Sequence, residues 1–391
     1  MKKILSIILA MIFAFGAFAP AYAADNENTA KLQFNDDGTF RIMQVADIQD
    51  GPLLLEITRK YLDEVVPYAQ PDLIVLSGDN ISAGASSIGI YEIDLILVEL
   101  AIDRFMSIFE KYDIPVAVVF GNHDAEELVS KEEQMKMYQK YDNCVAIDEG
   151  EALYGCGTYN LPIYSAADSE KIAYNLYMID SNMYAEEDDG YDYVHENQIQ
   201  WYVNKSNELK AQNGGKPVPS MMFQHIIVPE IYDALLEIPK VSTKAVEHNG
   251  KYYVLDPNTT RAGELNEAPC PSNFNKGQFD AVVNQGDVVA MLFGHDHTNS
   301  FETTYKGVDL VNTPGVGFNS YGDHGRGVRV IDIKEGTTDY TTDVITYKEF
   351  YGDDPAADAH FTLYGSEFET MDRIIAFFEF VLYSIIGLFN F

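Results

Sequence analysis

Cysteine and positive charge are both scarce in this chain. Three cysteines occur among 391 residues and none forms a C-x-x-C pair, which excludes a zinc ribbon and a thioredoxin-type dithiol. Cys144 and Cys156 are close enough in sequence to bridge a short loop, leaving Cys270 single. Such a bridge is a matter of geometry that spacing alone does not decide. Lysine and arginine total 26 against 61 acidic residues, a formal charge of -35. A field of that sign repels nucleic acid and anionic membranes, so a nucleic-acid partner is not expected. Small anionic substrates stay compatible with it, because bound divalent cations reverse the potential locally. No repeat or low-complexity tract is visible, which excludes solenoid and fibrous designs.

A hydrophobic content of 47% with 13% aromatics predicts a well-filled core, in one large domain or two small ones. The two ends stand apart. Residues 1–24 read as a secretory signal peptide: Lys2 and Lys3, an apolar stretch from Ile4 to Ala19, then the small-x-small cleavage site Ala21-Tyr22-Ala23. Export to an extracellular or cell-envelope compartment is the expectation. An uncleaved anchor is opposed by the short apolar stretch. Residues 25–365 form the expected folded domain, and 366–391 a hydrophobic amphipathic helix. In it Ile374, Ile375, Phe377, Phe378, Val381, Leu382, Ile385, Ile386, Leu388 and Phe389 recur at helical spacing. That stretch is marginal for the ~20 residues a membrane span requires. No lysine or arginine follows Arg373 to attract anionic lipid. A membrane interface, a second copy of the chain and the helix's own domain all remain open as its partner.

Between the ends, apolar strands alternate with helical stretches. Strands are expected at Leu32–Phe34, Arg41–Val45, Leu73–Leu76, Ile114–Phe120, Ala173–Ile179, Met221–Phe223 and Val288–Phe293. Helical spacing covers Leu53–Tyr68, Tyr91–Lys111, the charged segment between Asp124 and Asp142, and His195–Gln212 with the sole tryptophan, Trp201. Phe301–Tyr305, Val308–Val311 and Val328–Ile333 make the end of the domain β-rich. This order predicts an α/β fold, sheets packed together with helices outside. From Ile227 to Gly277 periodicity fades and five prolines occur, so a long loop excursion is expected there, shaping access to a site or simply covering surface.

Histidine is scarce as well, eight in all, and four of the eight fall in short blocks directly after apolar strands. The blocks are Gly121-Asn122-His123-Asp124, Gln224-His225 and Gly294-His295-Asp296-His297. Ala46-Asp47-Ile48-Gln49 and Ser77-Gly78-Asp79-Asn80 add carboxylates in the same setting. Nitrogen and oxygen ligands gathered at strand ends, without thiolate, suit two divalent cations such as manganese, iron, zinc or magnesium. A phosphoester resists attack because its anionic oxygens repel a nucleophile, and a metal pair overcomes this by clamping those oxygens and ionising a bridging water. Such a pair needs one ligand that touches both ions; Asp79, beside Gly78, is the candidate bridge. Asp47 with Gln49, and His295 with His297, are spaced i, i+2, so an extended backbone points each pair one way. Of the two histidines, one is expected to face each metal, with Asn122 and His225 completing the second ion. His123 is left to protonate a leaving oxygen, with Asp124 the candidate to orient it. Each block alone has a bland reading, as a turn or a surface histidine. The weight lies in their joint occurrence, each after a strand. His195, His248, His324 and His360 lack that context and read as ordinary surface or loop residues.

The order D-x-Q, GD, GNH, H, GHxH resembles the calcineurin-like metallophosphoesterase superfamily. Pro71–Ile81, Val119–Asp124, Cys270-Pro271-Ser272, Gly286-Asp287-Val288 leading into Phe293–His297, and Gly325–Val330 are similar to its purple-acid-phosphatase-like branch. That branch includes fungal cell-cycle regulator phosphatases and plant inactive-purple-acid-phosphatase-like proteins. The likeness runs from about Phe34 to Lys334. It implies a four-layer αββα sandwich of two mixed β-sheets flanked by helices, with metals at the carboxyl ends of the strands. It places Asp47, Gln49, Asp79 and His297 around one ion, and Asp79, Asn122, His225 and His295 around the other, and matches His123 to the family's catalytic histidine. Two departures stand out. Gln49 takes a position where many relatives carry histidine, a neutral and weaker donor that favours a hard ion such as manganese or iron(II). Ser82 stands where purple acid phosphatases place a metal-bound tyrosine, so a purple di-iron centre is not expected. An exported hydrolase of phosphomonoesters is the resulting expectation. A phosphodiesterase or nucleotide pyrophosphatase on the same core is the alternative. A non-catalytic metal-binding surface module comes third, and the spare, unligated His123 argues against it.

Overall fold

The structure, a computed structural model, describes residues 31–387 apart from 127, 151, 187, 241–244 and 365–369. The signal peptide expected over residues 1–24 lies outside the described residues.

Two large mixed sheets carry the fold. Numbered in chain order, the first has β1 (Thr39–Val45), β2 (Leu73–Ser77) and β3 (Val116–Val119) side by side and parallel. It is extended antiparallel beyond β1 by β14 (Gly327–Lys334) and β15 (Tyr340–Thr346). The second is built from β4 (Tyr159–Tyr164), β5 (Ile172–Met178), β6 (Ser220–Phe223), β10 (Thr260–Ala262), β11 (Val288–Phe293), β12 (Glu302–Tyr305) and β13 (Val308–Asn312). Its order is β10-β12-β13-β11-β6-β5-β4, with β5, β6, β11 and β13 parallel.

Alternation along the second sheet shows what each face covers. In β11, Ala290 and Leu292 join the core shared with the first sheet, whereas Met291 and Phe293 join a separate outer core. Met221 and Phe223 against Met222 in β6, and Leu176 and Met178 against Tyr177 in β5, divide the same way. The outer core is closed by Tyr202 and Leu209 of the helix Glu196–Gln212 and by Phe279 and Val282 of the helix Gln278–Gln285. The first sheet is covered by the helices Glu56–Ala69, Tyr91–Glu110 and Lys131–Tyr138. The helix Glu56–Ala69 buries Tyr61, Leu62, Val65, Val66 and Ala69, a stripe at helical spacing. The helix Lys131–Tyr138 opens on a capping box of Ser130 and Glu133. The result is four layers, helices–sheet–sheet–helices. Parallel strands covered on both faces are apolar throughout, which is why they stood out in the sequence.

Three expectations change. The Ile227–Gly277 stretch is not a structureless loop: it holds a three-stranded antiparallel sheet, β7 (Leu236–Ile238), β9 (Lys251–Val254) and β8 (Val246–His248), and also supplies β10 to the edge of the second sheet. Its short strands run below the length at which alternation becomes readable. Cys144 and Cys156 are free, buried thiols, not a disulfide. Each has its own anchor, Cys144 in a bridge to Val116 and Cys156 through its backbone N–H to Asp180. Leu32–Phe34 forms no full strand but a single bridge, Gln33 to Tyr164.

At the carboxyl end of the chain, the helices Pro355–Tyr364 and Thr370–Gly387 pack on one another, and Thr370–Gly387 also packs against the helix Glu56–Ala69. Among the described residues no helix is long and apolar enough to cross a membrane.

Candidate dinuclear metal centre

The carboxyl ends of β1, β2 and β3 in one sheet, and of β6 and β11 in the other, open onto the same edge of the sandwich. Asp47 and Gln49 follow β1, Asp79 follows β2, Asn122 follows β3, His225 follows β6, and His295 and His297 follow β11. All seven are buried. Asp47, Gln49, Asp79 and His295 have left-handed φ of 54°, 40°, 50° and 71°, a strain of roughly 1–3 kcal/mol each that ordinary loops avoid. This also corrects the extended i, i+2 picture: the chain turns at Asp47 and Gln49 instead of running straight. Two glycines make the approach possible. A Cβ on Gly78, φ 99°, would lie 2.5 Å from His225 Nδ1, and one on Gly121 would lie 2.2 Å from Asp79 Oδ1.

Two groups of ligand atoms result, each within 4.8 Å: Asp79, His225 and His295, and Asp47, Asp79 and His297. Asp79 belongs to both, and His295 and His297 fall one in each. Asn122 Oδ1, Asp47 Oδ1 and His225 Nε2 are buried without a hydrogen-bond partner. His225 Nε2 lies 3.0 Å from Asp79 Oδ2 and 3.9 Å from Asp47 Oδ1, and His297 Nε2 lies 3.3 Å from Asp47 Oδ1. Buried lone pairs converging without donors are costly in a protein interior unless cations satisfy them. The donor set therefore fits two divalent ions, Asp79 being the residue able to touch both. Gln49 presents its amide nitrogen to Asp79 Oδ2 at 3.1 Å, and a half-turn of the amide would present the oxygen instead.

The imidazoles are held from behind, as ligating histidines are. His225 Nδ1 donates to Ser77 O at 3.0 Å, and His297 Nδ1 sits 2.9 Å from Tyr321 O and from Ser320 Oγ. Asp47 Oδ2 accepts from His295 N at 3.1 Å, and Asp79 Oδ1 from His123 N at 2.8 Å. Beneath the centre Gln44 of β1 donates to Ser77 Oγ and to Phe293 O, and its own oxygen accepts from Thr313. The buried Arg329 continues that seam to Thr313, Glu302 and the carbonyls of Ser300 and Asn312. Arg326 donates to the carbonyls of Gly317 and Ser320, fixing the loop that supports His297.

Electrostatics follow from this packing. Burial pulls the His225 imidazole down, but Asp79 and Asp47 outweigh it and push it up to about 9. Burial would raise Asp79, and His225 more than reverses that, holding the carboxyl well below its usual range. Burial together with the His225 charge keeps His295 neutral, the form in which a ring nitrogen ligates.

Among the described residues no hydrogen bond joins Asp124 to the His123 ring. The Asp124 carboxylate accepts from the backbone N–H groups of Gly121, Asn80 and Ile81 at 2.8, 2.8 and 3.0 Å. It thereby ties the loops after β2 and β3 together; burial, and then Asp79, push its pKa up to about 7. The partner of His123 is Glu126, whose Oε2 lies 2.8 Å from Nδ1. Its i, i+3 spacing from His123 was the available signal. Three aromatics close to the ligands carried no sequence signal. Tyr191 meets the His295 ring edge-on at 4.4 Å, Tyr184 stacks on Tyr191, and Tyr321 lies flat on His297 at 4.2 Å.

A model of the calcineurin-like phosphoesterase family matches residues 40–299. The chain is 29% identical over 345 residues to the Arabidopsis thaliana protein named probable inactive purple acid phosphatase 14, covering 79% of each chain. It is 25% identical to phosphatase DCR2 of Saccharomyces cerevisiae over 69% of this chain and 46% of that one. Superposition on a dimetal phosphatase from Danio rerio covers 79% of this chain and 99% of the other at 14% identity and TM-score 0.47, a loose likeness. Since the matched residues 40–299 span two-thirds of the chain and include all seven buried ligand candidates, this protein belongs to the calcineurin-like phosphoesterase family.

Proposed function

We propose that this protein is an exported, metal-dependent phosphoesterase that hydrolyses phosphomonoesters, with His123 as the general acid. The observation that carries the reading is Asp79, one buried carboxylate shared by two Asp/His groups whose neighbouring lone pairs lack donors. Asp47, Gln49, Asp79 and His297 would hold one ion, and Asp79, Asn122, His225 and His295 the other. Two divalent cations there would polarise a phosphoryl oxygen and supply hydroxide as nucleophile near neutral pH. The chain's own contribution is positional. Ser77 O and Tyr321 O fix which nitrogen of His225 and His297 faces inward. As the bond from phosphorus to the leaving oxygen breaks, its electron pair goes to that oxygen, which takes the proton from His123. Two observations support that role: the His123 backbone N–H is tied to Asp79 Oδ1, and its side chain is partly open to solvent. Export is supported by the basic start, apolar stretch and Ala21-Tyr22-Ala23 site of residues 1–24.

The naming of the plant relatives as probably inactive favours a second reading, metal held without turnover. One experiment separates them. The full chain is reconstituted with manganese, iron(II), zinc or magnesium, its metal content measured, and p-nitrophenyl phosphate, bis-p-nitrophenyl phosphate and nucleotides offered. Monoester turnover that chelation abolishes supports the proposal. Faster diester or pyrophosphate cleavage would move the assignment to a phosphodiesterase or nucleotide pyrophosphatase. Two bound ions with no turnover of any substrate would leave the second reading standing.

A further inference from the structure

One acidic side chain beside the centre has no role in holding a cation. Glu126 closes the short 3-10 turn His123–Ala125, and its two carboxylate oxygens are divided between two partners. Oε2 lies 2.8 Å from His123 Nδ1, and Oε1 accepts from the Tyr184 hydroxyl at 2.6 Å. The same hydroxyl lies 3.4 Å from Asn122 Nδ2, on the amide whose other end, Oδ1, is the unpartnered one. The Tyr184 ring stacks at 5.7 Å on Tyr191, which in turn meets His295. A continuous chain of contacts thus runs from the His123 imidazole through Glu126 and Tyr184 back to Asn122 and His295.

We propose that Glu126 is a positioning residue for His123, and that Tyr184 fixes the Glu126 carboxylate in place. The inference rests on the reading of His123 as general acid and supplies what that reading lacks. An imidazole that is 39% exposed is free to rotate and to exchange tautomers unless something holds one nitrogen. Accepting from Nδ1–H leaves Nε2, which has no hydrogen-bond partner among the described residues, as the nitrogen that gives up the proton. Glu126 itself takes no proton. Asp124 is not available for this task, since three backbone N–H groups already occupy its carboxylate. An aspartate at 126 would be one methylene too short to reach both partners.

The test uses the metal-loaded full chain and aryl phosphates whose leaving phenols range from acidic to weakly acidic. Partners that orient metal-ligating histidines are typically worth about 10–100-fold, and the same scale is applied to His123. Glu126→Ala is therefore expected to lower kcat by about that factor on the least acidic phenol and far less on p-nitrophenol. Glu126→Gln, whose amide oxygen still accepts from Nδ1–H, should recover most of the loss. In a His123→Ala chain the same Glu126→Ala change should alter kcat less than about twofold, because its effect passes through the imidazole. An equal loss in both backgrounds would overturn the proposal, as would a fall in metal content in Glu126→Ala. If His123→Ala leaves the leaving-group dependence untouched, the general-acid reading fails first, a result distinct from additivity. Should no ester turn over, nitrogen NMR of the zinc-loaded chain decides: the His123 signal, assigned with His123→Ala, should show the Nδ1–H tautomer, and Glu126→Ala should shift it toward a mixture. An unchanged tautomer would overturn the inference.

Discussion

His225 after β6 and His360 in the helix Pro355–Tyr364 each keep a fully sealed ring nitrogen without a hydrogen-bond partner. Both are sealed from solvent, yet their surroundings drive them in opposite directions. At His225 the carboxylates of Asp79 and Asp47 override burial and push the imidazole up to about 9. At His360 burial is reinforced by the Arg326 guanidinium, and the imidazole falls to about 2. Its ring is packed among Phe318, Phe361, Tyr364 and Phe380, with Nε2 donating to Ser320 O at 3.0 Å. Burial alone therefore does not mark a functional histidine; carboxylates converging on the unpartnered nitrogen do.

The sharpest way to break the comparison is to remove the carboxylate that both ligand groups share. Asp79→Ala should lose both ions, measured as metal per chain. Turnover should fall with them on the order of 10³-fold, since metals supply several kcal/mol of transition-state stabilisation. A variant keeping two ions and wild-type kcat would show that Asp79 is not the bridge. The next largest effect lies in the layer that holds the ligand loops in place. Leu292 is buried between the two sheets, and Leu292→Ala should cost about 3 kcal/mol, read from urea unfolding. A loss below 1 kcal/mol would mean that the sheets close up around the gap.

How much of this was legible follows the same division. The ligand blocks could be read because each ends an apolar strand buried on both faces, a pattern strong enough to survive without periodicity. The helices of the first sheet were legible from stripes such as Tyr61, Leu62, Val65 and Val66. Asp124 bonds backbone N–H groups and not the His123 ring, and adjacency in sequence says nothing about which N–H groups a carboxylate will meet. Glu126 was overlooked for the converse reason, its spacing from His123 being visible but its direction set by a 3-10 turn. Tyr184, Tyr191 and Tyr321 lie in irregular segments, where no period carries information. His360 reads as a surface residue because its burial depends on Phe318 and Phe380, far away along the chain.

His360 also gives a smaller and signed test. Its native pKa of about 2 lies below the ordinary value of 6.5, so below pH 6.5 the unfolded chain binds a proton that the folded chain refuses. Stability is then lost as pH falls, by up to about 1.4 kcal/mol per pH unit from this group. His360→Gln, whose amide can still donate to Ser320 O, should lower stability somewhat at pH 7 yet flatten the decline between pH 6.5 and 5. Urea midpoints at the two pH values measure it. An unchanged slope would mean that His360 takes up its proton in the folded state.

The smallest effect is expected on the outer side of the C-terminal helix. Thr370–Gly387 buries Ala376 and packs Phe380 against the core. Met371, Ile374, Ile375, Phe377, Phe378, Val381 and Leu382 remain exposed, with Phe378 at 65%. These residues share one side of the helix, opposite the buried Ala376 and Phe380. If that side faces water, Phe378→Ser removes few contacts and should change unfolding free energy by less than about 0.5 kcal/mol. Leu292, between the two sheets, then holds the ligand loops, and a residue of similar hydrophobicity on this helix holds nothing. A loss above 1 kcal/mol, with a fall in sedimentation coefficient, would show instead that a second copy covers this side in solution. The helix would then owe its apolar stripe to assembly, not to the domain it is packed on.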